Sequence, residues 1–180
     1  MIGLPTSLNV AGEEYPIRTD YRVILTIFAA FNDPNLNDRE KFTICLNCLY
    51  KVIPDDYEEA IKQAMWFIDG AELPGNGPSV RLMDWEQDEG MIFAAVNRVA
   101  GKEIRAVEYL HWWTFLGLFY EIGEGRFATV IGIRSKMAKG KQLTKEEREL
   151  LRDSGDTIKL KTRYSDEEIE EQERLKAIFT

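Results

Sequence analysis

Four acidic side chains lie close together near the middle of the chain and could bind a metal ion or exchange protons: Asp84, Glu86, Asp88 and Glu89. Asp84 and Asp88 are about one helical turn apart and can point the same way, and magnesium sites use carboxylates at such spacings. However, acidic residues are also favoured at a helix start by the helix dipole, and no matching acidic motif follows. A metal-dependent enzyme is therefore a remote alternative, and we assign no metal ligand and no catalytic residue.

The single histidine and the two cysteines could also do chemistry. His111 could act as a general base, but no serine lies in a G-x-S-x-G motif that would supply a nucleophile. A zinc site at Cys45 and Cys48 would need more cysteine and histidine than the chain contains, and a redox pair would need a thioredoxin-like βαβ context. The pattern favours a core histidine and two small thiols on one helical face, so we predict no enzyme and no cofactor.

Asp88 is predicted to be a structural acid. By helical spacing it shares a face with the apolar residues Ile92 and Ala95. A buried carboxylate needs a partner, because an unpaired buried charge is costly. His111 and Arg134 are the two candidates, and we predict that one of them ties Asp88 to a neighbouring helix.

The elements that would position these residues are mostly helices, since apolar residues recur at helical spacing. We predict one domain over residues 1–154, a compact bundle of about six to seven helices with a small β-hairpin at 7–18. Charge dominates residues 155–180, which predicts a helical or disordered tail. The predicted helices lie roughly at 20–31, 38–51, 55–69, 84–100, 106–122, 126–137 and 145–153.

Composition excludes several classes of protein. The 180 residues carry a net charge of −8, which argues against nonspecific nucleic-acid binding, since that requires a cationic face. No apolar run approaches the ~20 residues of a membrane span, and the N-terminus lacks the features of a signal peptide. We expect a cytosolic protein with no membrane partner and no nucleic-acid partner.

Four pieces of the sequence together resemble a known family. They run from Tyr15 to Arg22, from Asp84 to Asp88, from Tyr109 to Phe115, and from Ile133 to Ser135. The Leu-His-Trp-Trp-x-Phe run in the third piece is the most specific. Over residues 10–150 the chain resembles the bacteriophage "gene product fifteen" family of tailed phages and prophages in Gram-positive bacteria.

The resemblance implies a function in tail assembly. Genes of this family lie in the tail module, between those of the major tail protein and the tape-measure protein, where tail-assembly chaperones are typically encoded. It therefore implies a chaperone that binds the tape-measure protein in the host cytoplasm and is absent from the mature virion. It also allows contacts with the major tail tube protein and self-association. The alternative is a structural or connector protein of the phage tail.

A chaperone for a helical client needs apolar or aromatic contact surfaces and no cofactor. By residue type, the candidates for client contact are Phe31, Trp66, Phe67, Trp85 and the loop over 71–82, on the condition that they are exposed.

Overall fold

The structure is a computed structural model that describes residues 3–71 and 80–178. Within these residues the chain forms nine α-helices and one two-stranded sheet, which confirms the prediction of a mostly helical fold with a small N-terminal hairpin. Contacts divide the chain into two units. Unit 1 includes Thr19–Tyr21 and Trp66–Lys161, and unit 2 includes Pro5–Arg18, Arg22–Met65 and residues 162–178. That residues 1–154 form one domain stays a prediction.

The hairpin belongs to unit 2. Its strands β1 (Ser7–Val10) and β2 (Glu13–Pro16) pair antiparallel. Ala11 and Gly12 form the turn between them, with positive φ angles of 52° and 91°. A two-residue hairpin turn of this kind requires positive φ at both positions, which glycine adopts without steric cost.

Unit 2 contains two whole helices, α2 (Asp38–Leu49) and α9 (Asp166–Ile178). It also contains α1 (Tyr21–Phe31) from Arg22 onward and α3 (Tyr57–Ile68) as far as Met65.

Helix α2 is capped at both ends. Asn37 accepts a hydrogen bond from the backbone N–H of Glu40 at 3.0 Å, and the Glu40 carboxylate accepts one from the N–H of Asn37 at 2.8 Å. At the other end, the guanidinium of Arg18 donates to the carbonyl oxygens of Asn47, Cys48 and Tyr50 at 3.1, 3.2 and 2.5 Å. These bonds satisfy backbone groups that a helix leaves without partners at its ends.

The two cysteines of α2 should differ in reactivity. Cys45 is buried and Cys48 is only partly buried, and burial raises the pKa of the Cys45 thiol to about 12. Because the thiolate is the nucleophile, iodoacetamide at a mildly alkaline pH should alkylate Cys48 in the native protein and leave Cys45 unmodified. Peptide mass spectrometry measures this, and in urea both should react. Equal native rates would contradict the prediction.

Unit 1 contains the remaining helices and an aromatic core. Tyr21 stacks on Phe115 with ring centroids 4.9 Å apart, and Trp112 stacks on the same ring at 5.5 Å. The indole N–H of Trp112 donates to the carbonyl oxygen of Ile68 at 2.8 Å. The helices are α4 (Glu89–Ala100), α5 (Trp112–Tyr120), α6 (Arg126–Ala138), α7 (Lys145–Asp153) and α8 (Gly155–Ile158).

Helix α4 begins at Glu89, so the predicted start at residue 84 is wrong. The carboxylate of Asp84 accepts hydrogen bonds from the backbone N–H groups of Glu86 and Gln87 at 2.9 and 2.8 Å. This holds a separate turn ahead of the helix. Asp88 then stands at the N-cap position without making a side-chain capping bond, since its carboxylate points into the protein.

Helix α5 begins at Trp112, so the predicted start at residue 106 is also wrong. His111, which immediately precedes the helix, is extended, and its segment pairs with the chain at Thr19–Tyr21. The N–H of Tyr21 donates to the carbonyl oxygen of Leu110 at 3.0 Å, and the N–H of Trp112 donates to that of Thr19 at 2.7 Å. The spacing of apolar residues does not predict this pairing, because the two paired segments are far apart in the sequence.

The segment predicted as a charged tail from residue 155 begins with residues that are packed. Ile158 is fully buried and clusters with Val130 and Ile133 of α6. The charged helix α9 begins only at Asp166. None of the helices in the described part of the chain is both long enough and apolar enough to span a membrane.

Candidate binding surface

Helix α6 has two apolar faces. One face is buried and carries Phe127, Val130 and Ile133. The second face is only partly buried. It carries Ala128, Ile131, Gly132 and Ser135, whose spacing places them along one stripe of the same helix. A helix that is buried on one side therefore presents small and apolar residues on another side as well.

This second stripe forms the floor of an open groove of about 480 Å³, which we call the α6 groove. The end of α5 supplies one wall, with Phe119, Tyr120 and Ile122, and Leu82 adds a further contact. Tyr120 is exposed. Gly132 lies in the middle of the floor, and a Cβ atom added there would meet nothing within 4 Å. The groove was not predicted from the sequence, since the stripe spacing indicates a helix face but not whether that face is exposed.

A buried ion pair holds α6 against the start of α4. The guanidinium of Arg134 donates to both carboxylate oxygens of Asp88, at 2.6 and 2.9 Å. Asp88 is 0% exposed and Arg134 5%. Of the two partners considered for Asp88, the structure places Arg134 in contact with it.

Arg134 also binds backbone on both sides. It donates to the carbonyl oxygens of Ile158 at 2.5 Å, Thr157 at 3.0 Å and Leu82 at 3.0 Å. With the two bonds to Asp88, these contacts use all of the N–H donors of a guanidinium. Arg134 thus holds Leu82 of the groove wall and residues 157–158 in place.

His111 caps helix α5. Its Nδ1 accepts a hydrogen bond from the backbone N–H of Trp113 at 3.0 Å, which requires the tautomer without a proton on Nδ1. The residue is 3% exposed and its backbone pairs with that of Asp20. The described contacts of His111 thus position the start of α5.

Asp84 and Asp88, two of the four acids considered as metal ligands, have other partners. Asp84 is buried and pairs with Arg81, while its backbone N–H donates to Asp88 Oδ2 at 3.0 Å. Within residues 3–71 and 80–178, no three histidine, cysteine, aspartate or glutamate side chains are grouped so that they could hold a metal ion.

The aromatic residues considered for client contact differ in exposure. Phe67 is 0% exposed and does not meet the condition for direct contact. Phe31 and Trp85 are partly buried. Trp66 is 40% exposed and lies edge-on to Trp113, with ring centroids 5.4 Å apart. Of the predicted loop over 71–82, residues 72–79 lie outside the described part of the chain.

Cations flank the α6 groove. Arg126 at the start of α6 and Lys139 just after its end are exposed, as is Lys141. Lys136 instead donates to both carboxylate oxygens of Glu147, at 2.7 and 2.8 Å, and this bond lowers the pKa of Glu147. The groove therefore has an apolar floor on a helix that carries exposed cations at its start and just beyond its end.

A second cavity, which we call the α4 pocket, adjoins this groove. It encloses about 450 Å³ between α4 and the start of α6, and it shares Ile122, Phe127 and Ala128 with the groove. Arg98 and Arg126 are among its lining residues.

Comparison with known proteins identifies the family. The profile described as bacteriophage Gp15 protein matches residues 2–165. The chain belongs to the bacteriophage Gp15 protein family. This confirms the resemblance noted from the sequence, and the matched region of this Gp15 family protein includes the α6 groove and the α4 pocket. No curated protein and no solved structure matches the chain.

Proposed function

We propose that this Gp15 family protein is a tail-assembly chaperone that binds the tape-measure protein in the host cytoplasm. The α6 groove is the observation that carries the proposal. Family membership supports a phage protein, and the tail-module position that the resemblance implies supports the choice of client. The protein acts by reversible binding, without catalysis and without a cofactor.

The groove suits a helical client. Ala128 and Gly132 on its floor have small side chains or none, which lets another helix approach closely, while Phe119 and Tyr120 provide aromatic walls. From Ala128 to Ser135 the floor extends over about two helical turns, or roughly 10 Å. An amphipathic helix laid in such a groove buries apolar side chains at one-turn intervals.

Substitutions at Gly132 separate binding from folding. Because there is open space at this position, Gly132→Trp should fill the groove without a clash in the free protein. Gly132→Ala should leave the groove open. Gly117→Trp is the matched bulky control, since Gly117 also has nothing within 4 Å, lies in α5 and does not line the groove.

Co-expression with the tape-measure protein of the same phage tests the proposal. We expect the tape-measure protein to be soluble and to copurify with the wild type, Gly132→Ala and Gly117→Trp proteins, and to aggregate with Gly132→Trp. If the tape-measure protein is equally soluble with and without this protein, the chaperone function is wrong. If the tape-measure protein needs this protein for solubility but is equally soluble with the wild type and with Gly132→Trp, the groove is not the client surface. Trp66→Ala then tests the exposed tryptophan.

The rival proposal is a structural or connector protein retained in the tail. Mass spectrometry of purified virions separates the two, because a chaperone should be absent or scarce in mature particles. Stoichiometric amounts in the virion would favour the structural function. The same co-expression experiment, carried out with the major tail tube protein, tests that second partner, and sedimentation of the purified protein measures self-association.

A further inference from the structure

The α4 pocket combines small residues with two arginines. Helix α4 contributes Gly90, Met91 and Ala94 to its lining, and Arg98 and Arg126 provide positive charge. Among the residues that the structure describes, no aspartate or glutamate side chain lines this pocket or the α6 groove. The pocket is therefore electrostatically matched to a negatively charged group, and its small residues leave room for one.

Arg98 is held in place across the start of α6. Its Nη2 donates to the carbonyl oxygen of Glu124. Its Nη1 lies 3.0 Å from the position that a Cβ atom on residue 125 would occupy. Gly125, with φ of 148°, is the residue that permits this close approach. Since a guanidinium carries five N–H donors, a carboxylate in the pocket can bind a side chain whose position is already restrained.

The pocket and the α6 groove are adjacent, since Ile122, Phe127 and Ala128 line both. A helix that lies along the groove floor toward the start of α6 therefore comes close to the pocket. Arg126 precedes Gly132 by six positions, which corresponds to roughly 9 Å along the axis of α6.

We propose that the α4 pocket binds an aspartate or glutamate side chain of the client helix through Arg98 and Arg126. This inference rests on the proposed function and specifies the client segment: an apolar stripe that contacts Gly132 and a carboxylate roughly 9 Å away along α6, at the Arg126 end. The carboxylate fixes the direction in which the client helix lies, because Arg98 and Arg126 line a pocket at one end of the groove, whereas Lys139 and Lys141 line neither cavity.

The test uses the full-length protein and the tape-measure protein of the same phage, with binding measured at low and high salt. The double variant Arg98→Gln and Arg126→Gln should weaken binding by about 10-fold or more at low salt, since charge-assisted hydrogen bonds are lost. The difference should shrink at high salt, because salt screens exposed charges. Lys102→Gln, which removes one exposed charge elsewhere in unit 1, should change affinity by less than about 2-fold.

A bulky substitution in the pocket provides an independent test of whether the client enters it. Gly90 lines the pocket and has nothing within 4 Å of an added Cβ, so Gly90→Trp should block the pocket while both arginines remain. Gly117→Trp is again the control. Thermal unfolding of each variant verifies that it is folded.

The outcomes distinguish this inference from the proposed function. If the double arginine variant and Gly90→Trp bind like the wild type while Gly132→Trp does not, the carboxylate pocket is wrong and the chaperone function stands. If the wild type does not bind the tape-measure protein, both are wrong. Rescue of Arg126→Glu by a glutamate-to-lysine change in the client would identify the interacting acid.

Discussion

Replacing Asp88 by asparagine should lower the free energy of unfolding by about 3–5 kcal/mol, because it leaves a buried guanidinium without its counter-charge. Asp88 and Arg134 are both almost fully buried and joined by two hydrogen bonds. Asparagine keeps the shape of the side chain but removes its charge and replaces one acceptor oxygen by an amino group, so packing changes little and the loss reports on the polar contacts of the carboxylate.

Urea unfolding followed by tryptophan fluorescence measures this effect. All four tryptophans lie in unit 1, so their emission follows the unit that contains the ion pair. Glu89→Gln is the matched control, since Glu89 is the exposed neighbour, and its effect should stay within about 0.5 kcal/mol. A loss below about 1 kcal/mol for Asp88→Asn would show that Arg134 does not depend on this carboxylate.

Replacing Trp112 by alanine should cost about 3–5 kcal/mol, as expected for removal of a large side chain from a packed core. Trp112 is 1% exposed and packs against the rings of Trp85 and Phe115. Trp112→Phe keeps much of the ring but removes the donor to the carbonyl oxygen of Ile68. That variant should cost less, about 1–3 kcal/mol, because a buried acceptor then lacks its partner.

The adjacent Trp113 provides the comparison for Trp112. It is only partly buried, although its indole N–H donates to the carbonyl oxygen of Phe67 at 2.9 Å. Trp113→Ala should therefore destabilise unit 1 less than Trp112→Ala in the same urea experiment. Equal losses from the two substitutions would contradict the assignment of Trp112 to the core and of Trp113 to its edge.

Local patterns predicted what depends on local interactions. Helical periodicity predicted a mostly helical fold, and α7 begins with a capping box in which Thr144 and Glu147 make reciprocal hydrogen bonds of 3.2 and 2.8 Å. Both depend on residues a few positions apart. The alternating residues of the hairpin were recognisable for the same reason.

The errors arose where distant residues decide the local structure. Leu110 and Trp112 pair with the chain at Thr19–Tyr21, which shortens α5 relative to its apolar run. The carboxylate of Asp88 turns toward Arg134, far along the chain. The position of a helix start depends in these cases on tertiary hydrogen bonds, which periodicity does not encode.

The candidate binding surface was less predictable than the fold. Ala128, Ile131, Gly132 and Ser135 have helical spacing, but this alone cannot tell a buried stripe from an exposed one. Exposure of the stripe depends on where the end of α5 and Leu82 lie. For the same reason, residue type could not separate the buried Phe67 from the exposed Trp66.

The acceptors of Arg134 have a consequence for sequence divergence. Three of its partners are main-chain carbonyl oxygens, at Leu82, Thr157 and Ile158, and only Asp88 contributes a side chain. Every amino acid supplies a main-chain carbonyl. Positions 82 and 157 can thus drift neutrally with respect to this network, while Asp88 and Arg134 can change only together.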